Sequence, residues 1–384
     1  MRRVVKVSRI RIIITIIVVV LTTLLTGCTG KEPNEIAYVV ALGIDSTDDD
    51  NYKITIQYAN TTQISGGTSE SGGKAGSEIV DNVTIEAPNI YAGVGLANNI
   101  VSKSFSMSHA KLIVFSKEIA EKGVKDMIET LVRSEEIRPD VFIAVANTTA
   151  NDYLTSVNPE MEVNPAQYYQ LIYQKNQLVG IPDGQLREFF TGLYTDNYDS
   201  ILPVAGVIEG SGGNSQNDDK GQSKDGQNEG SEGSSESLDS FESKSSNEKD
   251  ENEKEKDAEK NTSKYEYDIK NYIGGETTIE KKNKAEAIGA AVFEKDKMVG
   301  ELGEVETEIC KMLKGDYTYS YLTYYNNDTP DIPITVKTTQ QKKPKYKIDT
   351  DKKTVDIELY IESDLYSLPA DYNVENKIED FERD

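Results

Sequence analysis

The chain has 384 residues and a formal net charge of −24, with 66 acidic side chains against 42 basic ones. That acidity argues against nucleic acid as a partner and against broad electrostatic adhesion to anionic lipid, while the length has room for two or three domains. Two cysteines, one histidine and no tryptophan leave little material for disulfides, zinc sites or nucleophilic triads.

The first 28 residues carry the clearest signal. Arg2, Arg3, Lys6, Arg9 and Arg11 precede an apolar run from Ile12 to Leu25, interrupted only by Thr15, Thr22 and Thr23. A charged start followed by a run of this length makes a signal peptide and is short for a membrane span. The run ends Leu25-Thr26-Gly27-Cys28. Small residues at 26 and 27 let the backbone lie in a peptidase cleft, and the Cys28 thiol can carry a thioether-linked diacylglycerol. The expectation is removal of residues 1–27 and lipidation of Cys28 with palmitate-like acyl chains. Buried acyl methylenes contribute roughly 0.8 kcal/mol each, so several chains anchor a protein to the bilayer without a spanning helix.

After a short tether at Lys31-Glu32-Pro33, Ile36 to Ile44 reads as a buried strand. Tyr52, Ile54, Ile56 and Tyr58 alternate with polar residues, so the two form a hairpin across the acidic loop at 45–51. Residues 65 to 77 are rich in Gly and Ser. Ile90, Val94, Ala97 and Val101 recur at helical spacing. Leu112 to Phe115 is a short strand, and Ser116 is placed to cap one helix over 117–132. Val141 to Ala146 is a buried strand. Helices are predicted from Asn151 to Ser156 and from Pro165 to Leu178, and a strand from Ile201 to Val207.

Residues 210 to 264 contain only Leu238 and Phe241 as sizeable apolar side chains. Such a segment cannot bury enough surface to offset its chain entropy, which predicts a disordered acidic linker. Beyond it, Ile288 to Phe293 and Met298 to Gly300 form a hairpin about a turn at 294–297. Glu304 to Leu313 is an amphipathic helix ended by Gly315. Tyr317 to Tyr325, Ile332 to Thr338 and Thr354 to Ile361 are alternating strands, with Val355, Ile357, Leu359 and Ile361 on one face. The fold class is α+β: a multi-domain chain of mixed and antiparallel sheets flanked by helices. The expected division is a signal peptide at 1–27, an N-terminal α+β region at 28–208, the linker at 209–266 and a C-terminal α+β domain at 267–384, which is expected to be truncated.

No set of residues supports catalysis, a cofactor or a metal. His109 stands alone and reads as a hydrogen-bonded histidine at a strand start. Cys310 reads as a buried thiol. Gly93 and Gly95 lack the third glycine of a dinucleotide loop, and no Gly-Lys-Ser/Thr follows the Gly72-Gly73 stretch. Pairs such as Glu135 and Glu136 belong to solvated faces.

Taken in order, several short motifs resemble a known family. After Cys28 come Asn34-Glu35-Ile36-Ala37 and Ala41-Leu42-Gly43-Ile44-Asp45. Then follow Phe105-Ser106-Met107-Ser108-His109-Ala110-Lys111-Leu112-Ile113-Val114, Ala120-Glu121-Lys122-Gly123, Arg133 and Glu136-Ile137-Arg138-Pro139-Asp140. Gly289-Ala290-Ala291-Val292-Phe293 and Lys295-Asp296-Lys297-Met298-Val299-Gly300 close the series. Together they resemble the Ger(x)C family, the lipoprotein C subunits of bacterial spore germinant receptors. The resemblance implies a noncatalytic subunit on the outer surface of the spore inner membrane. It would be held there by acylated Cys28 and assembled with the receptor's A and B membrane subunits to support germination signalling. The sequence departs from the family pattern in that Thr29 and Gly30 replace a tryptophan and an aspartate, the acidic linker is longer, and the family's last domain normally continues into a long helix and a closing strand where this sequence stops at Asp384, which is why that domain is expected to be truncated. The rival reading is a solute-binding lipoprotein of an uptake system, with two lobes about one deep cleft.

Overall fold

The structure is a computed structural model that describes residues 35–49, 51–59, 80–159, 164–174, 180–208, 271–277, 283–326 and 329–367, with 11, 13–18 and 162 besides. Cys28, the tether, the Gly/Ser-rich stretch at 65–77, the segment 210–264 and the residues after 367 lie outside the described residues. Residues 13–18 are helical. Among the described residues no helix is long and apolar enough to cross a membrane.

Strands β1 (Ile36–Ser46) and β2 (Tyr52–Ala59) pair antiparallel with Ile44 opposite Ile54, the hairpin their alternation predicts. Strand β3 (Val80–Ala87) extends the sheet beyond β2. The sequence reading places no strand there, because between its buried ends polar residues alternate with half-buried Val83 and Ile85. An edge strand needs no stronger pattern. Helix α1 (Ile90–Ala97) starts at Asn89, whose Oδ1 accepts from the Ala92 N–H at 2.8 Å. Strand β4 (Ser104–Ser106), a 3₁₀ turn at Met107–His109 and strand β5 (Leu112–Ser116) follow.

The single helix expected over 117–132 is two: α2 (Lys117–Lys122), capped by Ser116, and α3 (Lys125–Val132). Gly123 divides them at φ +125°, a conformation closed to ordinary side chains, and the next N–H, of Val124, bonds instead to the Asp296 carbonyl at 3.0 Å. Next come β6 (Phe142–Ala146), α4 (Ala150–Ser156), α5 (Pro165–Gln174), α6 (Leu186–Tyr194) and β7 (Ile201–Val207). Helix α6 is absent from the sequence reading; its buried residues are Leu186, Phe189 and Gly192, spaced by three and flanked by polar positions.

After residue 270, β8 (Ala285–Glu294) and β9 (Lys297–Leu302) form the predicted hairpin, with Lys295 at positive φ in its turn. Helix α7 (Glu304–Lys314) ends at left-handed Gly315. Then come β10 (Tyr319–Asn326), β11 (Thr329–Asp349) and β12 (Thr354–Ser367).

Among the described residues these strands make two sheets. The larger has nine strands in the order β3-β2-β1-β5-β6-β7-β8-β9, with β4 pairing beside β1. Its centre, β1-β5-β6-β7, is parallel, and its flanks are antiparallel. Parallel neighbours must be covered on both faces. One face packs Leu42, Ile44, Ile113, Phe115, Ile143 and Val145 beneath α1, α2, α3 and α6. The other packs Val40, Leu112, Val114 and Ala144 beneath α4 and α5. The smaller sheet, β10-β11-β12, is antiparallel. The expected linker at 209–266 runs between β7 and β8, which pair with each other in the large sheet, Leu202 opposite Ala291.

Candidate functional site

The Ala41–Asp45 motif lies along the buried centre of β1. A Cβ on Gly43 would stand 3.1 Å from the Ala150 Cβ and 3.0 Å from a Leu154 methyl, so glycine lets α4 approach the sheet. Two residues on, Asp45 is 5% exposed. Its two oxygens accept the Ala150 N–H at 2.6 Å and the Asn151 N–H at 3.0 Å. The carboxylate thus sits at the N-terminus of α4, where free N–H groups and the helix dipole favour a negative charge. Burial raises its pKa above the ordinary aspartate value, and the two N–H donors and Lys53 offset part of that rise. Asn151 Nδ2 continues outward to the hydroxyls of Thr55 and Thr84, at 2.9 and 3.0 Å.

The Phe105–Val114 motif is a corner. The Phe105 N–H donates to Asn98 Oδ1 at 2.7 Å, and the Met107 N–H donates to Glu136 Oε2 at 2.7 Å. His109 is exposed at the end of the 3₁₀ turn. Its ring meets Tyr38 edge-on at 4.7 Å, and its Nδ1 lies 3.0 Å from Ser108 Oγ. That is the hydrogen-bonded histidine before a strand that the sequence suggests. In the 136–140 motif, Arg138 forks onto Asp140, with Nε 3.0 Å from Oδ1 and Nη2 3.3 Å from Oδ2. The motifs are brought together as one structural frame around β1 and β5.

On the opposite face, α4 and α5 bury a tyrosine cluster. Tyr153, Tyr169 and Tyr173 are all 0% exposed. The Tyr153 and Tyr173 hydroxyls are 3.0 Å apart, Tyr169 donates to Gln57 Oε1 at 2.5 Å, and Gln57 Nε2 donates to the Leu154 carbonyl at 2.8 Å. Burial raises all three phenols above their ordinary value, so they remain neutral and serve as hydrogen-bonded packing.

A second polar cluster joins the two sheets through α7. Glu308 and Lys311 lie on its inner side at 4% and 5% exposure. Ser320 Oγ on β10 donates to Glu308 Oε2 at 2.7 Å and lies 2.6 Å from the Tyr317 hydroxyl, which also reaches the Thr338 carbonyl on β11 at 3.3 Å. Lys311 Nζ donates to the Ile181 carbonyl at 3.1 Å. Burial pushes the Glu308 carboxyl up to about 7, the Lys311 ammonium down to about 8 and the Tyr317 phenol up to about 12. Beside this cluster opens a cleft of about 510 Å³, lined among others by Asp183, Tyr198, Ser200, Lys311, Lys314 and Asp316. Cys310, expected to be buried, is half-buried; it falls between inward Thr307 and Lys311 and exposed Ile309 on the helix surface. Among the described residues no group of His, Cys, Asp or Glu could hold a metal ion.

Residues 30–207 match Spore germination protein N-terminal domain, and residues 288–384 match Spore germination B3/GerAC like, C-terminal. The chain belongs to the GerAC-like spore germination protein family. It is similar to Spore germination protein KC of Bacillus subtilis (strain 168), 26% identical over 174 residues, 42% of this chain and 42% of that protein. It is also similar to Putative spore germination protein YfkR of the same organism, 29% identical over 145 residues, 38% of this chain and 37% of that one. Spore germination protein B3, again of Bacillus subtilis, is 26% identical over 148 residues, 36% of each chain. The matched stretches span less than half the length of these relatives. No solved structure matches the chain.

Sequence reasoning singled out the Ala41–Asp45 and Phe105–Val114 motifs without their roles. It missed the Glu308–Ser320–Tyr317 cluster altogether. The available signal was Glu308 itself, one turn after Glu304 and beside Thr307, on the side of α7 that carries Met312.

Proposed function

We propose that this chain is a noncatalytic, lipid-anchored subunit of a spore nutrient germinant receptor, needed for receptor assembly and signalling. The observation that supports this reading best is the pair of family matches, one on either side of the acidic segment. In keeping with a scaffolding role, the polar motif residues Asp45, Glu136 and Arg138 are spent on internal bonds. Acylated Cys28 would hold the domains at the outer surface of the spore inner membrane. Confinement to a surface raises their effective concentration against the A and B membrane subunits. A two-lobed solute-binding protein would place its cleft between separate sheets, whereas here the strands flanking residues 209–270 share one sheet.

Deletion of the gene tests the reading. Germination in response to one nutrient class is lost or slowed, growth and sporulation proceed, and agents that bypass receptors still act. Cys28→Ala gives the same loss, with the precursor uncut and without diacylglyceryl cysteine in its mass spectrum. A deletion strain, in a background lacking other receptors of this kind, that germinates normally with every nutrient contradicts the assignment.

A further inference from the structure

The cleft of about 510 Å³ beside α7 has a wall of two kinds. Its floor is buried: Phe189 and Leu202 supply apolar surface, and Lys311 and Ser200 supply polar groups at 5% and 6% exposure. Its rim is exposed and sets Asp183, Glu188 and Asp316 against Lys314, whose ammonium lies 5.3 Å from the centre of the Tyr198 ring. Every residue of the wall is among those the structure describes, and the volume falls within the range of small-molecule sites, about 300–1,000 Å³. Ser200 is the residue that marks a built site. Its carbonyl accepts the Phe293 N–H at 2.9 Å, which fixes it just ahead of β7. A Cβ on Gly192 would stand 2.3 Å from its hydroxyl oxygen, so the glycine in α6 leaves the hydroxyl its room. Among the described residues that hydroxyl has no hydrogen-bond partner, and on the cleft floor it is placed to bond whatever enters. The floor also holds a fixed charge. Lys311 Nζ is tied to the Ile181 carbonyl at 3.1 Å and, with its ammonium lowered only to about 8, is charged at neutral pH.

We propose that this cleft binds a small zwitterion, with its carboxylate on the floor at the Ser200 hydroxyl and the Lys311 charge and its ammonium at the rim among Asp183, Glu188 and Asp316. The order of charges selects this class. A simple anion has to pass three rim carboxylates opposed by one lysine, on a chain that carries −24 overall. A simple cation is drawn in by the rim and then meets Lys311 at the floor. A molecule bearing both charges is matched at both ends, and electrostatic complementarity of this kind sets specificity. Phe189 and Leu202 give apolar contact to the carbons that join the two charges. The site goes beyond the receptor reading and holds whichever complex the chain joins.

Ligand-observed NMR titration of the chain from Thr29 to Asp384 tests this. The probes are linear ω-amino acids of about three to six carbons, whose charges stand apart as floor and rim do, with the matching carboxylates and amines as single-charge controls. The expected result is that one of the ω-amino acids binds about tenfold more tightly than either of its controls. Ser200→Ala, which removes only the unpaired oxygen, weakens that binding about tenfold with unchanged circular dichroism. Asp183→Asn/Asp316→Asn, confined to the exposed rim, removes the preference over the simple carboxylate. Absence of binding by every ω-amino acid at about 20 mM, well above the millimolar range of weak ligands, overturns the proposal. Binding that Ser200→Ala leaves unchanged lies elsewhere and overturns it too. A carboxylate or an amine that binds as tightly as the zwitterion shows a site for a single charge and refutes the two-ended reading.

Discussion

Replacing Glu308 with glutamine removes a titratable group from the joint between the two sheets. Burial outweighs both the Ser320 hydrogen bond and the nearby Lys311, and the folded carboxyl stands at about 7 instead of 4.5. Because the folded value lies above the unfolded one, the neutral carboxyl contributes fully below the unfolded value, and that contribution is lost as pH rises through about 7. At about 1.36 kcal/mol per pH unit the whole span is about 3 kcal/mol, of which roughly 2 kcal/mol falls between pH 5.5 and 8.5. Glutamine keeps an acceptor for Ser320 and never ionises. Urea unfolding of wild type and Glu308→Gln at those two pH values therefore shows the variant gaining about 2 kcal/mol on the wild type at the higher one. Lys311 works in the opposite sense. Burial lowers its ammonium to about 8, so its contribution is lost as pH falls through that value. Repeating the pair in a Lys311→Met background separates the two groups. A gap that stays constant across the range would mean that Glu308 is ionised throughout and held by Lys311, refuting the neutral-carboxyl argument.

Asp45→Ala leaves the Ala150 and Asn151 N–H groups buried without their acceptor and costs about 2–4 kcal/mol, read as a lowered melting temperature; Asp45→Asn, which keeps one acceptor, loses less. Proteolytic cleavage anywhere between residues 209 and 270 leaves the two fragments together on size-exclusion chromatography. The reason is that β7 pairs β8, Phe293 packs edge-on against Phe189 at 5.0 Å, and Asn147 Nδ2 donates to the Gly274 carbonyl at 2.6 Å. Fragments that elute separately without denaturant would contradict the shared sheet.

The parts of the fold legible in the sequence are those where one physical signal suffices. Buried strands β1, β5 and β6 are runs of apolar residues, the β8–β9 turn is polar, and α7 has a glycine stop. What escaped depends on partners distant in the chain. Strand β3 is half-polar because only β2 needs it. Helix α6 owes its place to Phe293 and α3, a hundred and sixty residues apart. The Gly123 break reads as an ordinary helical position until the Asp296 carbonyl is seen to take the next N–H. The same holds for the polar clusters: composition announces a surplus of carboxylates but not that Asp45 and Glu308 are the ones without water. Fold class therefore follows from local pattern, while the identity of the special carboxylates follows from topology.

The way the sheets are joined also bears on how a displacement of the hairpin would travel. Helix α7 is anchored at its start by residues of the large sheet's neighbourhood, the Glu304 N–H donating to the Tyr272 carbonyl at 2.7 Å and the Val305 N–H to Asn271 Oδ1 at 3.0 Å. Its end is anchored to the small sheet through Gln340 and through Tyr346, whose hydroxyl donates to the Leu313 carbonyl. The contacts between these ends are polar and few, centred on Glu308, Ser320 and Tyr317, with Met312 and Ile334 as apolar filling. A joint made of directional bonds resists sliding until its donors and acceptors mismatch and then gives way as a unit, unlike a broad apolar interface that yields by small repacking. Force on the β11–β12 arm consequently reaches the large sheet through one helix. The polar joint on that route is the Glu308–Ser320–Tyr317 cluster, where ionisation of Glu308 adds a buried charge while keeping the bond that Ser320 donates.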